Sequence, residues 1–312
     1  MHQEDKEWLA DHFGPQVLFD ESMALHTTLG IGGPADALLT VKDDEQIKDL
    51  TRWASERGYP LLILGAGSNL LVLDGGIRGL VLKVAKGLTS IEQVSEISPN
   101  GTAEVKAGAG VLLRELARYA LDRGLAGLNF GLGIPGTVGG ALRMNAGAWG
   151  VCIADTVSSI SVLGPSGDIV TVGREKLRFS YRGLALEEGV IILGGEFQLK
   201  RVDRDTLQKD AIQMQKKRRL SQPLSLPSAG SIFRNPPGTM SAGELIDKAG
   251  LKGLRKGGAE ISRMHGNFFV NRGHARAAEV LALIGQTKET VLERFGVHLE
   301  LEVVIVGEDG RS

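Results

Sequence analysis

Cysteine is almost missing from this chain. One cysteine, Cys152, stands among 312 residues, which excludes an intrachain disulfide and a metal site built on a cysteine cluster, and fits a reducing compartment. Long apolar runs are lacking as well. None approaches the ~20 residues needed to span a bilayer, and the opening MHQEDKEWLA is acidic and amphipathic, unlike a signal or transit peptide. A soluble, cytoplasmic protein is expected. Excess charge of one sign is also lacking. With 36 basic and 37 acidic residues mixed along the chain, the formal net charge is -1, so neither nucleic acid nor an anionic membrane is an expected partner. The one basic cluster, KKRR at 216–219, ends a helical pattern, where it either complements the helix dipole or meets a phosphate.

Glycine is what the chain has in excess. Its 43 glycines are about twice the usual ~7%, and without a collagen period they imply many turns or backbone brought close to a ligand. They concentrate in TTLGIGGPAD (27–36), LGAGSNLLVLDGG (64–76) and GLGIPGTVGGALRMNAGAWG (131–150). In the second, a strand runs into Gly65-Ala66-Gly67-Ser68-Asn69 and on to Leu70. Small residues there let successive amides converge on an anion such as a pyrophosphate. The loop is not a Walker A motif, since no Gly-Lys-Ser/Thr follows, and it lacks the third glycine of the dinucleotide fingerprint; a plain turn is the other reading. In the third segment, Pro135 fixes a turn while Gly136, Gly139, Gly140 and Gly147 leave backbone bare, to lie against a planar ligand or diphosphate or to let two chain segments cross tightly.

Periodicity predicts strands at ADALLTV (35–41) and PLLILG (60–65) around a helix over 43–57, short strands at 79–84 and 102–107, and a helix over 111–123. A hairpin is expected over 157–172, with GPSG at 164–167 as its turn. A strand near 190–199, a polar helix over 204–219, a short helix over 241–249, a strand at NFFVN (267–271), a helix over 274–295 and a last strand LELEVVIV (299–306) follow. Strands and helices mix without strict alternation, so the fold class is α+β.

The stretch PSAGSIFRNP (227–236) sets two serines around Ala229-Gly230. By itself it is either a tight turn leading into a strand or a site, and neither Ser228 nor Ser231 is preferred. Taken with the GAGSN loop, the third glycine-rich segment, FSYR (179–182), GGAEIS (257–262) and LELEV (299–303), it brings six motifs into the order found in UDP-N-acetylenolpyruvoylglucosamine reductases. The resemblance spans about residues 22–308.

That resemblance implies a two-subdomain FAD-binding fold of the vanillyl-alcohol oxidase type, here residues 1–83 and 84–203, followed by an α+β substrate domain, 204–312. It implies FAD contacts from Gly65, Ala66, Gly67, Ser68, Asn69 and Leu70, from Gly131, Ile134, Pro135, Gly136, Thr137, Gly139 and Gly140, and from Asn145, Ala146 and Gly147. NADPH would reduce the flavin, which would then reduce the enolpyruvyl ether of a UDP-sugar to a lactyl ether on the route to peptidoglycan. Arg182 would stabilise the substrate carboxylate, Glu302 would act as an acid toward the enolate oxygen, and Ser231 would deliver the proton. Tyr181, Arg219, Gln222 and Asn235 would bind substrate, and no metal is implied. Alternation along LELEVVIV places Glu300, Glu302, Val304 and Val306 on one face. The last of the three tyrosines is Tyr181, which fits the shorter subtype without a tyrosine on a clamping loop. The segment after Arg182, GLALEEG, departs from the serine often found two residues on. A monomer or weak oligomer is expected, and the competing activity is an FAD-linked oxidase or dehydrogenase on the same fold.

Overall fold

The computed structural model describes residues 1–85, 87–238 and 240–310. The chain forms two compact units, one of residues 1–38, 67–80 and 219–312, the other of residues 39–66 and 81–218. One four-stranded sheet is ordered Val17–Ser22, Pro34–Thr40, Ile77–Lys83, Leu61–Leu64. Strands and helices are mixed throughout, and the α+β class holds.

The unit holding residues 81–218 is built on antiparallel strands ordered Ile169–Gly173, Val157–Leu163, Ile191–Arg201, Thr102–Gly108, Ile91–Gln93, with Leu125–Ala126 also pairing to Ile191–Arg201. The predicted hairpin is present. Leu163 pairs with Ile169, Gly164 N–H donates to Asp168 O at 2.9 Å, and Gly167 takes the left-handed conformation that closes the turn. The helix Leu113–Asp122 buries Leu113, Leu116, Ala117 and Ala120, spaced to form one stripe, against a core containing Phe130, Val105 and Phe197. Truncating a fully buried phenylalanine such as Phe197 costs ~3–5 kcal/mol.

The other unit has its own core, around Leu29, Phe233, Leu245, Phe269 and Leu283. Its sheet is ordered Ser228–Ser231, Phe268–Asn271, Ala259–Ile261, Arg255–Lys256. The long helix Ala277–Phe295 buries Val280, Leu283, Ile284 and Val291. It begins three residues later than the apolar period predicts, because Asn271 Oδ1 takes the Ala275 amide in a preceding turn and Asp74 caps the helix itself, its two carboxylate oxygens accepting from Ala277 and Ala278 at 2.9 and 3.0 Å. The last strand also differs from the expectation. Only Val304–Val306 is a strand, parallel to Leu70–Val72, while Leu299–Val303 breaks away to bond a different partner.

Among the described residues, no helix is long and apolar enough to cross a membrane, and no group of three or more His, Cys, Asp or Glu side chains is arranged to hold a metal ion.

Candidate active site

Ser231 ends the strand Ser228–Ser231. Ser228 pairs with Val270 and Ser231 with Phe268, so three steps on one strand face two on the other, a bulge. Gly230 supplies it. Its φ is 74°, and no atom lies within 4 Å of where a Cβ would stand, so glycine is required here for backbone conformation rather than for space. A bulge re-aims the side chain beside it, which at this place is Ser231. Immediately after it the chain is anchored. Ile232 and Phe233 are fully buried, and the Asn267 side chain grips Phe233 twice, accepting from its N–H at 2.9 Å and donating to its carbonyl at 2.8 Å.

The segment that breaks from the last strand lies against this anchor. Leu301 bridges Phe233, Arg234 N–H donates to Glu300 O at 2.9 Å, and Glu302 N–H donates to Ile232 O at 2.8 Å. Glu302 is therefore bonded through its backbone to the residue after Ser231. It is half-buried but not on a continuous strand; the residues of the opposite face, Leu299 and Val303, carry the burial. Asn69 joins the same cluster, its side-chain Nδ2 donating to Glu302 O at 3.0 Å and its own carbonyl accepting from Val304 N–H. Thr28 ties in the first glycine-rich segment, with its N–H on Gly67 O at 3.1 Å and its hydroxyl on Ser228 O at 2.7 Å. Ser228 thus takes the structural place and Ser231 the free end of the bulge. Thr28 and Asn267 were not singled out from the sequence; each acts through backbone groups distant in the chain.

Asn235 is exposed, and its Oδ1 accepts from Ala242 N–H at 3.1 Å at the start of the helix Ala242–Lys248. Gln222 is half-buried just past the helix Arg204–Ser221, and Arg219 is exposed within that helix. Its neighbour Arg218 is more deeply placed, with the Cδ and guanidinium lying over Gly133 and burial pulling its pKa down. Of the two arginines, the sequence reading names Arg219 and passes over Arg218.

The other unit carries Gly65 and the whole of the third glycine-rich segment. That segment is not one bare stretch. It folds as a 3-10 turn, Asn129–Gly133, then the helix Val138–Arg143, then a tight hairpin joining Gly147–Ala148 to Val151–Cys152. Several of its glycines make room for protein. A Cβ on Gly131 would meet Leu113, on Gly139 Ala109 and on Gly147 the Val151 carbonyl; outside this segment, one on Gly65 would meet the Thr137 hydroxyl at 2.5 Å. Thr137 is buried, and its hydroxyl accepts from Gly140 N–H at the helix start. Gly140 is different: it is exposed, and its Cβ would stand 3.7 Å from the nearest atom. Ile134 is half-buried, Pro135 exposed, and Gly136 has φ of 142°. Ala146 bonds inward, its N–H to Ala141 O and its carbonyl to Ile153 N–H. The Cys152 thiol pKa is pushed up by burial and by the Asp155 carboxylate, which favours the protonated thiol.

Tyr181 and Arg182 form the two-residue turn of a small hairpin, Arg178–Ser180 with Gly183–Ala185. Arg182 is half-buried with φ of 57°, a left-handed conformation that costs an L-residue ~1–2 kcal/mol, and its guanidinium stands 5.2 Å from the Tyr181 ring. Asn145, buried and also left-handed, donates from Nδ2 to Ser180 O at 2.8 Å.

Two family models match the chain. One described as UDP-N-acetylenolpyruvoylglucosamine reductase, C-terminal domain, covers residues 222–306, and one described as FAD binding domain covers residues 35–173. A UDP-N-acetylenolpyruvoylglucosamine reductase of Syntrophus aciditrophicus (strain SB) is 44% identical over 305 residues, 98% of this chain and 96% of the relative. The chain belongs to the UDP-N-acetylenolpyruvoylglucosamine reductase family. The family's enzyme from Geobacter sulfurreducens is 45% identical over 94% of this chain and 95% of its own length. The crystal structure of the reductase from Thermus caldophilus matches with a TM-score of 0.77 at 39% identity, over 93% of this chain and 97% of that one. A VAO-type flavoprotein of Myceliophthora thermophila, 15% identical over 64% of this chain and 48% of its own, matches with a TM-score of 0.50 and shares the fold.

The residues present suit the flavin nucleotide that this reductase fold takes. Among the described residues, the backbone amides of Ala66 and Gly67 donate to no backbone carbonyl, and Gly67 is buried. An unpaired buried amide is rare unless a ligand completes it. Gly67 has φ of 63°, and a Cβ there would meet His26 O at 2.1 Å, so no side chain can cover these donors from that position. Open amides on a small-residue loop suit a diphosphate.

Proposed function

We propose that this protein reduces the enolpyruvyl ether of UDP-N-acetylglucosamine enolpyruvate to the lactyl ether of UDP-N-acetylmuramate, with FAD as cofactor and NADPH as reductant, in peptidoglycan precursor synthesis. The observation that carries the assignment of chemistry is the bonding of the Glu302 backbone to the residue following Ser231. FAD, when bound, would supply the two-electron chemistry, carrying hydride equivalents from NADPH to the alkene carbon remote from the carboxylate. Residues 1–83 and 84–203 are assigned to holding it and residues 204–312 to the sugar nucleotide.

The chain's own residues handle charge and the proton. Hydride addition leaves negative charge shared between the substrate carboxylate and the adjacent carbon. Arg182 stabilises that carboxylate, and Glu302 faces the enolate oxygen as an acid. Ser231 gives its hydroxyl proton to the carbon next to the carboxylate. A serine hydroxyl is a weak acid, but a carbanion-like centre is a strong base, so a hydroxyl aimed by a bulge and held by buried neighbours is sufficient. Ala66, Gly67 and the exposed Gly140 approach the cofactor through backbone, with Ser68 and Asn69 at the same loop. Tyr181, Arg219, Gln222 and Asn235 are assigned to the sugar nucleotide, with Arg219 at its diphosphate.

The test is made on purified protein. A yellow protein that consumes NADPH when the enolpyruvyl sugar nucleotide is added is expected. A colourless protein indifferent to FAD overturns the reading, and flavin bleached instead by an alcohol or hydroxy acid favours an oxidase.

A further inference from the structure

We propose that Asn145 and Arg143, at the end of the helix Val138–Arg143, are positioning residues that together fix the hairpin presenting Arg182. The inference rests on the role given to Arg182 above. The hairpin is a two-stranded sheet with three residues on each side, and an isolated ribbon of that size is marginal in water. It turns through Tyr181 and Arg182, and Arg182 carries the backbone strain. A short strained ribbon needs external restraint if its arginine is to stay in one place.

Two side chains supply it, one on each strand. Asn145 Nδ2 donates to the carbonyl of Ser180, the residue just before the turn, at 2.8 Å. Arg143 Nη1 donates to the carbonyl of Leu184, two residues after Arg182, at 3.3 Å. The donors are two apart in sequence and their acceptors bracket the turn. Beneath it, Leu184 is buried and Phe179 packs on the core, so the base of the ribbon is held while the turn projects.

Asn145 uses both ends of its amide inside the protein. Its Oδ1 accepts from Ala154 N–H at 3.3 Å, and only 8% of the residue is exposed. Asparagine is among the few residues that tolerate its left-handed φ of 42°. The side chain thus serves the arginine rather than the cofactor, although it stands in the glycine-rich segment.

The experiment uses the FAD-loaded enzyme and separates its two half-reactions. Asn145→Gly removes the bond to Ser180 while keeping the backbone conformation accessible, and Arg143→Met removes the bond to Leu184 from an exposed site, so it carries the test should the first variant fail to fold. Expected for each are wild-type flavin content by absorbance, wild-type flavin reduction by NADPH, and reoxidation by the enolpyruvyl sugar nucleotide slowed ~10- to 100-fold, the scale of a small misplacement. In an Arg182→Ala background the same substitutions should add less than ~2-fold, since residues acting through one group are not additive. Loss of bound FAD with normal reoxidation, or an equal slowing in both backgrounds, overturns the positioning role. Normal reoxidation by the Arg182→Ala single variant instead removes the role of Arg182 itself, and the positioning role with it.

Discussion

The side-chain amide of Asn69 donates to the backbone carbonyl of Glu302 at 3.0 Å, joining residues 233 positions apart. Asn69 belongs to the loop assigned to the cofactor and Glu302 is the assigned acid. The hydrogen bond makes one structure of the two, and the parallel pairing of Leu70–Val72 with Val304–Val306 continues directly from it. An Asn69→Ala variant is expected to lose ~1 kcal/mol of stability, the net worth of one hydrogen bond. It should also slow flavin reoxidation by substrate more than flavin reduction by NADPH. Denaturant unfolding and stopped-flow absorbance measure the two effects; equal slowing of both half-reactions would place Asn69 with the cofactor alone.

Ser231→Ala tests the proton donor most directly. NADPH should still reduce the flavin at the wild-type rate, while reoxidation by the enolpyruvyl sugar nucleotide falls by at least ~100-fold, the lower end for acid–base catalysis. Ser228→Ala should have little effect on either step, because it is the Ser228 carbonyl, not its hydroxyl, that Thr28 binds. Unaltered reoxidation in Ser231→Ala would remove the assignment.

Much of this was legible in the sequence, for reasons that differ by element. The helices over 43–57 and 111–123 were read nearly to their ends because amphipathic spacing is local. LELEVVIV was not, since a period of two says which residues share a face but not how many partners the strand has; Leu299–Val303 serves the Phe233 segment and Val304–Val306 the Leu70 strand. The start of Ala277–Phe295 was missed because its cap, Asp74, comes from another part of the chain. Glycine excess points to three segments, yet composition does not reveal whether a bare backbone faces a ligand or the protein. Gly65, Gly131, Gly139 and Gly147 face the protein.

That distinction makes a pair of glycine substitutions informative. Gly67→Ala puts a Cβ 2.1 Å from His26 O at φ of 63°, so it should destabilise the apoprotein by ~1–3 kcal/mol, as strained overpacking does. Gly140→Ala meets no atom closer than 3.7 Å and lies within a helix, so the apoprotein should gain ~0.5–1 kcal/mol from the better helix former. If the cofactor lies against that backbone, the same variant should bind FAD more weakly. Thermal unfolding of the apoprotein and FAD titration separate the effects, and unchanged FAD affinity in Gly140→Ala would move the contact elsewhere.

The last prediction concerns pH. His265 is held neutral: burial, and then the nearby Lys252 cation, lower its pKa, and its Nδ1 accepts from Asn267 N–H. Asn267 is the residue that grips Phe233, two positions after Ser231. With the folded pKa below the unfolded value of ~6.5, the unfolded chain takes up a proton that the folded chain refuses. The contribution of neutral His265 is thus fully present above that unfolded value and is lost as pH falls from it toward the folded pKa. Denaturant unfolding from pH 7.5 down to pH 5.5 should show stability declining more steeply in the wild type than in His265→Gln, whose side-chain oxygen can accept the same amide without titrating. Parallel declines in the two proteins would assign the pH dependence to other groups.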